Sequence, residues 1–402
     1  MEKLFNYKYL DKNHLKGFHT YKYSAIDTSP LSNYVMHPLW NASVKLLPKW
    51  IAPNLLTFAG FLLMVASVVL LGLYDYGCYG PLRDNVQVVP DWVFTVCAVF
   101  IFVAYNLDGM DGKQARRIGV SGPLGEMFDH GLDSYVVFFI PYALMTVFGR
   151  DNEYTVSVFR GFILIMSVSL NFYVSHCEKY NTGTLYLPWG YDISMWVSSL
   201  LFLVPGLYGP RVYHIYLFGY KFVNVLEVVV HATGLFTTLP IAFYNVYMAK
   251  KNNTIIYKSI LDMVRPVWSM LIMNATILVW VIKSPNNILE YDPKAFILLY
   301  GTHFSNIACR LIVAEMSKQK CDIVTWMCWP LRAAVAISLF FPHIEIIVFY
   351  CTFFFSLAAH LHYGVCVVII TFLYYSFNLK QFKHKFFFYF LTFLAYLVSK
   401  LY

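Results

Sequence analysis

The chain has 402 residues, of which 59% are hydrophobic, 19% aromatic and only 13% charged, a balance that excludes a soluble globular domain and indicates a polytopic membrane protein. The formal net charge of +8 is divided among short loops, with no long basic patch, which argues against a nucleic-acid partner. The eight cysteines lack a CxxC pair or a spacing with histidine that would suit zinc, so neither a disulfide framework nor a zinc site is expected.

The lysine-rich N-terminal segment has no apolar core or small-residue cleavage site of a secretory signal, and no removal is expected. Ser29 to Trp50 mixes apolar and basic residues with two tryptophans, the pattern of a helix lying at the membrane interface. Pro53 then opens an apolar run to Tyr74. Further spans are expected near Trp92 to Leu107, Phe128 to Phe148, Val156 to Val174, Ile193 to Tyr208, Phe222 to Met248, Pro266 to Ile282, Phe296 to Ala314, Ile323 to Phe341 and Ile344 to Tyr374. The reading is an all-α fold of about ten transmembrane helices. No polar linker interrupts the series, so residues 1–402 are taken as one membrane unit.

With ten spans both termini share a side. Lys113, Arg116, Arg117, Lys179, Lys250, Lys251, Lys318 and Lys320 fall on the side of the basic N-terminus, which the positive-inside rule makes cytosolic. Phe386 to Val398 reads either as an eleventh short span or as an interfacial tail.

The chemistry concentrates in DGMDGKQARRIGVSGPLGEMFDHGLD, from Asp108 to Asp133. Asp108 and Asp111 are three residues apart and Gly125, Asp129 and Asp133 follow at steps of four, so each set lies on one helix face. Carboxylates gathered beside a membrane core repel one another and are costly to ionise unless cations compensate them. Hard oxygen ligands suit Mg²⁺ or Mn²⁺. Gly112, Ala115 and Gly125 remove side-chain bulk, so a ligand can approach the backbone there. Arg116 can grip phosphate through several donors. His130 lies between two of the aspartates with Glu126 one turn earlier, and the pair can remove a hydroxyl proton; the bland reading makes His130 a partner that orients Asp129 or Asp133. Asn54 either faces a ligand at the start of the first span or caps that span, Thr57 is a weaker candidate for the same place, and Lys113 either touches phosphate or sets orientation. His176, Glu178, Trp189, Tyr191 and Asp192 read as a loop that covers an ammonium group or anchors at the interface. His231, His303, Asn306, Arg310, His360 and His362 either line a lipid cavity or, as the default, bond between helices.

The spacing DxxDGxxAR followed by GxxxDxxxD, carried by Asp108, Asp111, Gly112, Ala115, Arg116, Gly125, Asp129 and Asp133, resembles the CDP-alcohol phosphotransferase family. The stretches YKYSAIDTSPLSNYVMHPLWN, PLGEMFDHGLDS and AHLHYGV are similar to its eukaryotic ethanolamine- and choline-using branch, and EKYNTG with LPWGYDIS looks more like the ethanolamine enzymes. The resemblance implies that Asp108, Asp111, Asp129 and Asp133 hold two metal ions, Mg²⁺ or Mn²⁺, and that His130 is the base. It also implies nucleotide contacts at Asn54, Gly112, Ala115, Arg116 and Gly125. Its substrates would be CDP-ethanolamine from the cytosol and diacylglycerol or alkyl-acylglycerol from the bilayer, its products phosphatidylethanolamine and CMP. Its catalytic core would span residues 53–220, after a cytosolic or interfacial segment 1–52 and before later helices 221–375 that provide lipid access and a homodimer contact, with a tail at 376–402. An endoplasmic reticulum or Golgi membrane fits. Choline or dual specificity is the same-chemistry alternative, and a cation or lipid transporter the different-class one.

Overall fold

The computed structural model describes residues 7–83, 86–150, 154–187 and 190–379. A short helix α1 (Lys12–Thr20), capped by the Asp11 carboxylate, precedes the helix expected at the membrane interface, which is π-helical over Ser32–Met36 and α-helical over His37–Ser43 (α2). The long helices follow as α3 (Pro53–Tyr74), α4 (Asp91–Ile118), α5 (Pro123–Phe148), α6 (Val158–Thr182), α7 (Gly190–Tyr208), α8 (Phe222–Lys251), α9 (Arg265–Lys283) and α10 (Pro293–Ser317). A short α11 (Cys328–Phe340) and a long α12 (Glu345–Leu379) complete the bundle. Nine helices among the described residues are long and apolar enough to cross a membrane. With α11, the chain is a polytopic integral membrane protein of roughly ten helices.

Two local rules set the ends of α4 and α5. The first continues past Leu107 because nothing in the polar motif breaks it until Gly119, whose φ of +71° forms a left-handed cap. The second starts at Pro123, whose missing N–H costs nothing in a first turn. The aspartate motif therefore lies within both helices, which begin or end beyond the bounds expected from hydropathy. The span expected over Ile323 to Phe341 is helical only over Cys328–Phe340, about 20 Å by helical rise and shorter than a ~30 Å hydrocarbon core. The stretch from Phe386 to Val398 lies outside the described residues.

The central pillar is α10, with 83% of its apolar window buried inside the protein, whereas α8 has 17% buried and turns most of its surface outward. At α10 the Gly301 backbone lies against the Phe138 ring, where an added Cβ would meet ring carbon at 2.2 Å. Trp280, Phe296 and Phe349 pack edge-on and stacked beside it. Polar residues of the interior mostly bond across helices: His303 to Ser356 at 2.9 Å, Ser305 and Asn306 to His360 at 3.2 and 3.3 Å.

The N-terminal segment straps the end of the bundle that carries the aspartates. Leu10 and Phe18 are buried with Ile312, Met316, Tyr363, Leu124 and Met127. Residues Ala25–Asp27 pair in parallel with Leu185–Leu187 in the connector between α6 and α7. Tyr9 donates its hydroxyl hydrogen to, or accepts one from, His362 Nδ1 at 2.9 Å. Gly17 permits the seating of α1, because a Cβ there would lie 2.0 Å from the Ser317 carbonyl oxygen. Gly17→Ala is expected to lift the strap at a cost of about 1–3 kcal/mol. Trypsin cleavage after Lys22 should accelerate while the far-UV circular dichroism stays unchanged; equal cleavage rates would show that the packing absorbs the methyl group.

Candidate active site

The four aspartates arise from two helix faces that meet at the strapped end. Carboxylate oxygens of Asp108, Asp111 and Asp129 lie within 4.8 Å of one another. Asp133, one turn further along α5, lines the same cavity outside that set of three. Thr57 on α3 donates to Asp111 Oδ2 and Tyr191 donates to Asp108 Oδ2 at 3.1 Å. Asp129 Oδ1 is buried with no hydrogen-bond partner, so the cluster retains oxygen capacity suited to a hard divalent cation. Asp108, Asp111 and Asp129 thus form an acidic cluster able to hold such an ion.

Around the cluster the small residues leave room for particular neighbours. A Cβ at Gly112 would meet the Arg116 guanidinium at 3.5 Å, and one at Gly125 would meet Asn54 Oδ1 at 3.4 Å. Asn54, Gly112, Ala115, Arg116 and Gly125 all line the cavity, so the structure brings these sequence candidates together. Lys113 lines the cavity too and donates to Asn41 Oδ1 at 2.9 Å, and Arg117 donates to the carbonyls of Val44 and Leu47 at 2.7 Å each. Both basic residues fasten α4 to the interfacial segment.

His130 Nε2 faces Asp129 Oδ2 at 3.9 Å, while His130 Nδ1 is buried without a partner. Glu126 does not pair with it. Its Oε1 accepts from the Tyr21 hydroxyl and from Lys179 Nζ, each at 2.5 Å. Burial, reinforced by the Glu126 carboxylate, pushes the phenols of Tyr21 and Tyr23 well above the usual tyrosine range, so Tyr21 remains protonated and a donor.

The polar stretch expected as a loop is mostly helical. His176 and Glu178 belong to the last turns of α6, and Tyr191 and Asp192 to the first turn of α7, because no breaker intervenes before Gly183, whose φ is +78°. Trp189 lies outside the described residues. Glu178 bonds Asn245 at 2.6 Å, Asp192 accepts from Tyr105 at 2.5 Å, and His176 turns toward Glu315 at 3.2 Å. Sequence reasoning gave no role to Tyr21, Tyr105 or Glu315 and treated Lys179 only as an orientation charge. Glu315 carried a readable signal, since an ionisable residue at the end of an apolar span needs a named partner.

The cluster forms the polar end of a cavity of about 1350 Å³ whose walls continue along Val137, Ile140, Leu144, Leu164, Val168 and Leu201. Phe148, Arg160 and Glu227 line its far end. From Asp133 to Phe148 α5 advances about 22 Å, well over half a ~30 Å hydrocarbon core. One cavity therefore joins a charged mouth to an apolar trough of lipid length.

Thr57→Val should leave the bundle folded and weaken divalent-ion binding by about 10–100-fold, as removal of a group that orients a ligand does. Titration of Mn²⁺ by electron paramagnetic resonance reads this; unchanged affinity would make the Thr57 bond incidental.

Comparison with known proteins agrees with this arrangement. The family model of the CDP-alcohol phosphatidyltransferases matches residues 50–239. Ethanolaminephosphotransferase 1 of Mus musculus is 42% identical over 366 residues, covering 90% of this chain and 92% of that protein; its Homo sapiens counterpart is 41% identical over 90% and 91%. Choline/ethanolaminephosphotransferase 1 of Saccharomyces cerevisiae is 32% identical over 61% of this chain and 60% of its own length. The chain belongs to the CDP-alcohol phosphatidyltransferase family.

Proposed function

We propose that the protein transfers phosphoethanolamine from CDP-ethanolamine to the free hydroxyl of diacylglycerol, or of alkyl-acylglycerol, yielding phosphatidylethanolamine and CMP. The observation that carries this reading is the single cavity with the carboxylate cluster at one end and an apolar trough at the other. A transporter would not require that pairing of a polar mouth, with Arg116, Gly112 and Gly125 beside it, and an apolar trough. The names of the mouse and human relatives supply the headgroup.

Asp108, Asp111, Asp129 and Asp133 would hold two divalent ions, Mg²⁺ or Mn²⁺. Bound there, the ions supply electrostatic stabilisation of phosphate oxygens during in-line displacement. Asn54 and Arg116 orient the CDP portion. The trough aligns the glycerol hydroxyl, whose oxygen forms the new bond to the phosphorus next to ethanolamine as the bond to the CMP oxygen breaks. His130 accepts the hydroxyl proton at Nε2, on the Asp129 side. The basic-residue distribution supports a cytosolic mouth, in an endoplasmic reticulum or Golgi membrane, and the core at 53–220 would work within a homodimer. The yeast relative's name motivates a second reading, dual choline and ethanolamine use.

Purified protein in nanodiscs containing diacylglycerol is expected to release CMP from CDP-ethanolamine, to stop on adding EDTA and to resume with Mg²⁺ or Mn²⁺. Comparable rates with CDP-choline would establish the dual reading, and no release from folded protein would remove both. Asp129→Asn should cost more than about 100-fold in turnover, beyond the range typical of groups that merely orient metal ligands; persistent turnover would dismiss the cluster as the reaction centre. For His130→Ala the expected fall in kcat is about 10²–10⁴-fold with little change in CDP-ethanolamine affinity. A loss of affinity at near-normal kcat would reassign His130 to binding.

A further inference from the structure

Beside His130 runs a chain of charged and polar side chains that the proposed reaction does not use, of which Tyr21, Glu126 and His176 line the cavity. Lys179 Nζ on α6 is 2.5 Å from Glu126 Oε1 on α5 and 3.1 Å from Glu315 Oε1 on α10. His176 Nδ1 is 3.2 Å from both Glu315 oxygens, and Tyr21 of the strap donates to the same Glu126 oxygen. The Lys179 and Glu315 side chains are 2% and 1% exposed. One ammonium thus holds two carboxylates from different helices in the interior.

Helix cohesion alone is a weak reason for this arrangement, because apolar replacements of a buried ion pair are often as stable or more so. Its position supplies a better one. The His176 ring packs edge-to-face against the His130 ring, with centroids 5.3 Å apart. Glu126 and His130 are separated by four residues on α5, the spacing at which helical side chains meet. Released from Lys179 and Tyr21, the Glu126 carboxylate would reach toward His130 and compete with Asp129 for it. Glu315, released likewise, would no longer hold His176 against the ring.

Resting on the proposed reaction, we infer that Lys179 is a positioning residue: it holds Glu126 turned from His130 and, through Glu315 and His176, fixes the His130 ring beside Asp129. The lysine itself lies outside the substrate path and acts through these neighbours.

The test uses the full chain in nanodiscs as Lys179→Met, Lys179→Met with Glu315→Gln, and Lys179→Arg. The double variant removes one carboxylate with the ammonium, so it avoids leaving two uncompensated like charges. CDP-ethanolamine affinity by calorimetry and kcat by CMP release are measured on each. The double variant is expected to bind CDP-ethanolamine within about threefold of wild type yet lose at least about 30-fold in kcat, a split that mere loss of stability does not produce. Lys179→Arg, which keeps the cation, should recover most of that loss.

A double variant with kcat within threefold of wild type would show that Lys179 only balances charge, overturning the inference. Parallel losses of affinity and rate, or aggregation of both methionine variants, would assign the lysine to the fold and overturn it equally. Absence of CMP release from wild type would instead remove the underlying functional reading, and this inference with it.

Discussion

The structure depends on the cost of placing charge inside a helical bundle. Every carboxylate drawn from water must find a cation, a hydrogen-bond donor or an aqueous opening, and the bundle uses each solution in a different place. At the far ends of the helices Asp75 is fully buried and accepts from two backbone amides and Arg83. Asp292 serves both as a helix cap and as an acceptor for Tyr76 and Tyr350. At the strapped end Glu126 and Glu315 share Lys179. The Asp108, Asp111 and Asp129 set keeps unspent oxygen capacity at the cavity, which distinguishes a site from a staple.

The difference between these groups also explains why the helices differ in burial. A pillar such as α10 takes its place because α5, α6 and α12 all bring polar side chains to it: Ser134 to Ser305, His176 to Glu315, His360 to Asn306. Such bonds fix the rotation of each helix about its axis, which apolar contacts constrain less sharply. The trough between α5 and α8 is built from the opposite material, aliphatic side chains that tolerate varied lipid shapes.

Much of this was legible in the sequence where the determinants are local. The i,i+3 and i,i+4 spacing of Asp108, Asp111, Gly125, Asp129 and Asp133 needs only helical geometry to define two faces, and nine apolar runs declare their helices by length. Pairings between helices were not legible. Nothing near Glu126 in sequence indicates that Tyr21 and Lys179, 105 and 53 residues away, will occupy it in place of its neighbour His130. The expectation of a loop at His176 to Asp192 failed because polar density was read as irregular backbone, although α6 has no breaker until Gly183. Likewise Thr57 gained its role from a helix crossing that sets it against Asp111, a relation carried by no motif.

The parallel pairing of Ala25–Asp27 with Leu185–Leu187 has a consequence for the order of assembly. The first of these strands leaves the ribosome some 160 residues before its partner, and Ser317, against which Gly17 packs, emerges later still. The strap therefore cannot settle while the helices bearing the aspartates are being inserted. Long-range closure of this kind is slow and follows local helix formation. The acidic mouth is not strapped until those later segments have emerged, and the strap, made before the helices it covers, is among the last elements to find its native place.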